Sequence, residues 1–330
     1  MKNSEALGSS FRDPSGFVFE RDGTLYRQIN RAYAENYTLL MRSGLYERLA
    51  GAGLLVRHEE VAAPPAAAQD AFRVIRPERV PFISYPYEWS FSMLKDAALA
   101  TLSIQRQALE AGLILKDASA YNIQFLGGKP ALIDTLSFEA YREGKPWIGY
   151  RQFCQHFLAP LALMAHREIR LGQLLRLHID GVPLDLAARL LPWRSRLNMG
   201  LLIHLFLHAG LQRSQADRAP RSGPSARRTV NRQALIALAD GLRAAISGLH
   251  WEPAGTEWAD YYDHTNYSGE AFRQKCDLVS EWLSLVSPAS VWDLGGNDGT
   301  FSRLASRSGI ETVCFDIDPA AVELNYRKVR

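Results

Sequence analysis

The strongest constraint on this chain lies near its C-terminal end, in Val291-Trp292-Asp293-Leu294-Gly295-Gly296-Asn297-Asp298-Gly299-Thr300-Phe301. An apolar run stops at an acidic residue, and a glycine-rich turn follows. A helix then opens with Phe301, Leu304 and Ala305 on one face. A second apolar run, Thr312-Val313-Cys314-Phe315, ends at Asp316. Strand, tight turn, helix and a second strand ending in a carboxylate form a βαβ unit, whose strands must be parallel because a helix connects them.

The rest of the chain divides around this unit. Residues 1–15 are polar and read as a disordered tail. Phe17 to Ile29 reads as a β-hairpin, because Asp22-Gly23 tolerates the positive φ of a two-residue turn. Helical spacing over 31–53 (Tyr33, Tyr37, Leu40, Leu45, Leu49) stops at Gly51 and Gly53. Strands are expected at Leu54–Val61, Phe72–Ile75 and Val80–Tyr85. A long helix over Ser90–Ala111 follows, with Gly112 as its C-terminal stop. From Tyr150 to Leu211 the chain is apolar and helical, with breaks expected at Pro160, Gly181-Val182-Pro183 and Pro192. Residues 211–232 hold six arginines against Asp217, with prolines and serines, and read as a basic linker. Helices are expected over Asn231–Leu249 and Gly269–Leu285. Between them lies an aromatic stretch with Trp258, Tyr261, Tyr262, His264 and Tyr267.

Bulk properties narrow the function classes. With 330 residues, 47% of them hydrophobic, the chain can bury a large core. A net charge of +3 is too small to favour nucleic acid, and the arginine-rich segment lacks interleaved aromatics for base stacking. Three separated cysteines and an N-terminus without an apolar signal core fit a cytoplasmic protein. The longest apolar stretch, Leu197 to Leu211, falls short of the ~20 residues of a membrane span. His204 and His208 stand at i, i+4 without a third ligand, so packed histidines are the better reading.

Asp293-x-Gly295-x-x-x-Gly299 resembles motif I of class I S-adenosylmethionine-dependent methyltransferases, and Asp316 resembles their acidic residue after the second strand. The resemblance implies a cofactor site of Asp293, Gly295, Gly296, Asn297, Gly299, Asp316 and Ile317. Asp316 would accept from the ribose hydroxyls, Asp293 would order the turn or meet the cofactor's ammonium group, and the glycines would let the cofactor approach the backbone. A dinucleotide is the poorer fit, because Asn297 replaces the second glycine of GxGxxG and Asp298 would repel a pyrophosphate. The implied reaction is methyl transfer from a sulfonium donor to a small-molecule or glycan-type acceptor. No catalytic base is identified. The chain ends near the second helix, so the methyltransferase domain is expected to be incomplete, with sequence beyond residue 330 needed for activity.

Asp117-x-x-x-x-Asn122 followed by Leu132-Ile133-Asp134 resembles the catalytic loop and metal-binding aspartate of protein-kinase-like and aminoglycoside-phosphotransferase-like folds. That resemblance implies Asp117 as catalytic aspartate, with Asn122 and Asp134 holding Mg²⁺ against ATP. No glycine-rich loop or early-strand lysine accompanies it, and Arg27 is the nearest cation. The expected architecture is therefore a kinase-like α+β region over 16–210, the linker 211–232, and an incomplete α/β Rossmann-like methyltransferase domain over 233–330. That domain order is similar to bacterial methyltransferases related to nodulation proteins. The alternative is a kinase-like phosphotransferase or a degenerate nucleotide-binding module acting through Asp117, Asn122 and Asp134.

Overall fold

The fold is mixed α/β. A computed structural model describes residues 7, 10, 13–207, 230–254, 256 and 268–330. The hairpin forms as β1 (Gly16–Arg21) and β2 (Thr24–Asn30), with Arg21 opposite Thr24. Its turn residues Asp22 and Gly23 take φ of 51° and 74°, the mirror-image turn that matches strand twist. Leu7 and Ser10 hydrogen-bond Val18, and the Ser15 carbonyl accepts from Asn30. Most of the remaining residues of the expected tail lie outside the described ones.

The single helical run expected over 31–53 divides into α1 (Ala34–Arg42) and α2 (Leu45–Gly51), with Gly44 at φ 69° between them. Strands β3 (His58–Glu60) and β4 (Ala71–Pro77) complete an antiparallel sheet in the order β1-β2-β4-β3. The strand expected at Val80–Tyr85 does not form. This loop instead sends Phe82 against Trp292 and Phe315 of the C-terminal unit, at centroid distances of 6.1 and 5.5 Å.

Helix α3 (Phe91–Glu110) is the axis of the larger core. Ser90 caps it by accepting from Met93 N–H. Two small antiparallel pairings follow: β5 (Leu113–Leu115) with β8 (Phe138–Ala140), and, between them in the chain, the hairpin β6 (Ile123–Leu126) with β7 (Lys129–Leu132). The chain then runs through α4 (Tyr150–Phe153), a π-helical stretch over Cys154–Leu158, and α5 (Ala159–His166). Pro160 does not break this run. It stands in the first turn of α5, where its missing N–H is tolerated, and the widened turn precedes it. Short helices α6 (Leu174–Leu177), α7 (Leu184–Leu190) and α8 (Met199–Leu201) lead to the undescribed segment, which includes His208 and residues 211–229 of the expected linker.

Helix α9 (Arg232–Ser247) follows and packs on the larger core. Its Leu235, Ala239, Leu242 and Ile246 join the same hydrophobic core as α3. Arg106 of α3 also holds both oxygens of Asp240 at 2.7 Å. Packing changes only after Trp251. The C-terminal unit comprises α10 (Gly269–Val286), β9 (Ser290–Leu294), α11 (Ser302–Arg307), β10 (Glu311–Phe315) and α12 (Pro319–Val329). Strands β9 and β10 pair in parallel, with Asp293 opposite Cys314, as the βαβ pattern requires. Among the described residues, no helix is long and apolar enough to cross a membrane.

The unit docks through α12. Glu323 is 0% exposed and accepts from Ser92 N–H (2.9 Å) and the Ser92 hydroxyl (2.5 Å) in the first turn of α3. Arg327 donates to it at 2.7 Å and also to the Trp251 carbonyl. The Tyr326 hydroxyl donates to Asp96 at 2.9 Å, while its ring meets Phe125 edge-on. Removing the Glu323 carboxylate leaves a buried N–H and hydroxyl without their acceptor. Glu323→Ala is therefore expected to cost about 2–4 kcal/mol of docking stability. Amide hydrogen exchange in the first turn of α3 and along α12 should accelerate together, and unchanged protection of both segments would contradict this.

Candidate functional site

Two cavities coincide with the two sequence patterns. The first, of about 750 Å³, is lined by Lys275, Asp293, Leu294, Gly295, Gly296, Asn297, Phe301, Phe315, Asp316 and Ile317. It sits at the C-terminal ends of the two parallel strands, where the β9–α11 turn and the end of β10 come together. All of the expected cofactor residues line it except Gly299.

Backbone geometry accounts for the turn. Gly295 lies at φ 77°, and the space where its Cβ would stand is open. Asn297 lies at φ 48°, a left-handed conformation that asparagine tolerates better than most residues. That explains how an asparagine stands where the commoner pattern has glycine. Gly296 and Gly299 have internal reasons. A Cβ on Gly296 would meet Cys314 Sγ at 2.4 Å, and one on Gly299 would meet Asn325 Oδ1 at 2.1 Å. The glycines thus serve the turn and its packing, and only Gly295 leaves open room beside the backbone.

The carboxylates divide into two groups. Asp316 accepts from Asn297 N–H on one oxygen and from Asp318 N–H on the other, both at 2.8 Å, so its orientation is fixed. Asp293 accepts from the Ser302 hydroxyl at 2.6 Å. Both line the cavity. Asp298 does not. It accepts from the Thr300 amide and hydroxyl and pairs with Lys328 and Arg303. Burial raises its pKa, but Lys328, Thr300 and Arg303 outweigh that and hold the carboxyl below its ordinary range. The expectation that Asp298 would repel a pyrophosphate is therefore corrected, because its charge is spent on neighbouring cations. Asp293 and Asp316 supply the negative face instead.

Lys275 lies at the cavity with its ammonium 4.6 Å from the Phe301 ring centroid. No local signal marked it, because its role depends on α10 packing beside the turn. Ile317 is 93% exposed at the rim and offers an apolar surface. Trp258, Tyr261, Tyr262, His264 and Tyr267 lie outside the described residues.

The second cavity, of about 680 Å³, is lined by Lys116, Asp117, Asn122, Asp134 and His156, with Asp13 and Asp180 at its edge. The fold brings the three kinase-like residues together: Asp117 follows β5, Asn122 precedes β6 and Asp134 follows β7. Asp117 accepts from Ser119 N–H at 3.0 Å. Asp134 is heavily engaged. Arg27 of β2 reaches one oxygen at 2.6 Å, the Leu136 N–H donates to that oxygen at 3.0 Å, and the Ser137 hydroxyl donates to the other at 2.5 Å. Burial pushes the Asp134 carboxyl up, but Arg27, Ser137 and the Leu136 amide outweigh it and hold the pKa below the ordinary value. Three of roughly four acceptor positions are thus taken, and a guanidinium adjoins the carboxylate. These residues do not fit Mg²⁺, which demands a regular shell of free oxygens. Among the described residues, no group of three or more His, Cys, Asp or Glu is gathered as a metal site.

His156 is 2% exposed, and among the described residues its Nδ1 has no hydrogen-bond partner. Burial pushes its pKa down to about 4 against the opposing pull of Asp117 and Asp180, and His58 is likewise held at about 4 by burial. The unfolded chain takes up these protons below the ordinary 6.5, while the folded chain remains neutral to about 4. Stability is therefore full above 6.5 and falls as pH drops towards 4. His156→Gln should remove up to about 1.4 kcal/mol per pH unit of that slope. The check is the urea midpoint between pH 6.5 and 4.5, which should fall less steeply in the variant.

No protein-family model matches the chain. It is 35% identical over 327 residues to the nodulation protein NoeA of Rhizobium meliloti (strain 1021), a match that covers 97% of this chain and 68% of that protein. It also superposes on the structure of vaccinia related kinase 3 over 76% of this chain and 97% of that one. The TM-score of 0.34 and 12% identity leave that likeness too loose to support an argument.

Proposed function

From the premise that this chain belongs to the family of the nodulation protein NoeA, we propose that it is a methyltransferase whose C-terminal unit binds S-adenosylmethionine in the β9–α11 cavity. One observation carries the reading. Two carboxylates at the ends of adjacent parallel strands, Asp293 and Asp316, line a cavity beside the open backbone of Gly295. A pair of fixed carboxylates opposes a pyrophosphate and suits a ligand with a sulfonium, an ammonium group and ribose hydroxyls.

Asp316 would accept from the ribose, Ile317 would cover the base, and Asp293 would face the amino-acid end. When bound, the cofactor supplies an activated methyl group, so the protein's share is orientation and exclusion of water. The acceptor, in this reading, is a small molecule or glycan. The region built around α3, with α9 packed on it, would be the kinase-like part, and the cofactor unit would begin near Gly269. The phosphotransferase alternative has less support, because Asp134 is engaged by Arg27.

Calorimetric titration with S-adenosylmethionine and S-adenosylhomocysteine tests the proposal. Both are expected to bind, and Asp316→Ala should weaken both by at least ~10-fold through loss of the charge-assisted contact. Absence of binding by either ligand to the wild-type chain would sink the methyltransferase reading.

A further inference from the structure

The cavity at Asp117, Asn122 and Asp134 invites a different assignment from the one its pattern resembles. We propose that Arg27 is the resident cation of this cavity, and that the site takes its ligand without a divalent metal. Arg27 lies on β2, which is paired on both sides, opposite Val18 of β1 and Ile75 of β4. The backbone that carries the guanidinium is therefore fixed by two ladders, and its side chain is only 14% exposed. A divalent ion at Asp134 would have to displace a paired, largely buried guanidinium, and the Ser137 hydroxyl and Leu136 amide would still occupy the carboxylate. Arg27 does for that carboxylate what the metal would do: it compensates a buried negative charge.

The rest of the cavity remains open to a ligand. Among the described residues the buried Nδ1 of His156 and the buried Nδ2 of Asn122 have no partner, and both residues line it. A ligand there meets these two polar residues beside Lys116, Asp117 and Gln152. Its charge is also constrained. Asp13, Asp117 and Asp180 face the cavity against Lys116, whose ammonium donates to the Ser15 hydroxyl and sits over the Tyr33 ring. With no metal to screen those carboxylates, a triphosphate is repelled. The ligand class is a polar small molecule that is uncharged or cationic.

Mn²⁺ is a suitable probe for the full chain. Calorimetry on the wild type should show no saturable Mn²⁺ binding that depends on Asp134. Arg27→Gln keeps a polar side chain but removes the charge. It should lower the melting temperature, and Mn²⁺ should restore part of the loss, with at least ten-fold tighter Mn²⁺ binding than in the wild type. The Arg27→Gln, Asp134→Asn double variant should lose that response. The proposal is overturned if the wild type binds Mn²⁺ or Mg²⁺-ATP saturably and Asp134→Asn abolishes it. It is equally overturned if folded Arg27→Gln gains no Mn²⁺ affinity. Should Arg27→Gln fail to fold, the comparison of wild type with Asp134→Asn decides alone.

Discussion

The buried carboxylate of Glu323 holds the two halves of this molecule together. It sits at the first turn of α3, where unpaired backbone N–H groups and the helix dipole favour a negative charge. Arg327 compensates it from its own helix, one turn on. Among the described residues, none beyond Trp251 joins the hydrophobic clusters of the larger region. The C-terminal unit is attached instead by this carboxylate, by Tyr326 on Asp96 and Phe125, and by Phe82 packing on Trp292 and Phe315. A charge buried at an interface is useful only in one register, because any shift leaves it uncompensated. The docking geometry is thus specified more sharply than an apolar contact of the same area would specify it.

The same helix also fixes the first cavity. Asp318 caps α12 by accepting from the Ala320 and Ala321 amides, and its own amide donates to Asp316. Asp316 in turn accepts from Asn297 at the centre of the glycine-rich turn. Lys328, nearly three turns further on, pairs with Asp298 in that turn. One helix therefore braces the turn at both ends while it carries Glu323 into α3. The cavity is preorganised by elements that are themselves anchored to the larger region.

What could be read from the sequence follows the range of the forces involved. The Asp22-Gly23 hairpin, the Ser90-capped helix and the strand–turn–helix–strand unit rest on local rules, and each formed where the pattern placed it. Pro160 misled because a proline is a breaker only away from a first turn, and the π-helical stretch before it moved that turn. Val80–Tyr85 reads as a strand, but among the described residues no strand pairs with it, and Phe82 is used for packing instead. Lys275, Glu323 and His156 carried no local signal. Their positions depend on which helix lies against which, and that information is spread over hundreds of residues. The packing of α9 on α3 is hidden for the same reason, since the apolar stripe of α9 does not announce that α3 is its partner.

Arg27 departs from the kinase-like pattern at a position where the fold gives it another partner. Taken alone, it was a poor replacement for a lysine that binds phosphate, since the two cations differ in geometry and hydration. In the fold its partner is Asp134, not a ligand. Its Nη2 reaches one oxygen of that carboxylate, while its buried Nε finds no partner among the described residues, so the pairing is by charge and not by a two-point fork. The two cavities then differ in the state of their acidic groups. At Asp134 the charge is already neutralised by the protein. At Asp293 and Asp316 the oxygens accept, among the described residues, a hydroxyl and two amides, with no cation in those bonds. Of the two, the second keeps carboxylates with no cation bonded to them, and the donors of the proposed cofactor would pair with them there.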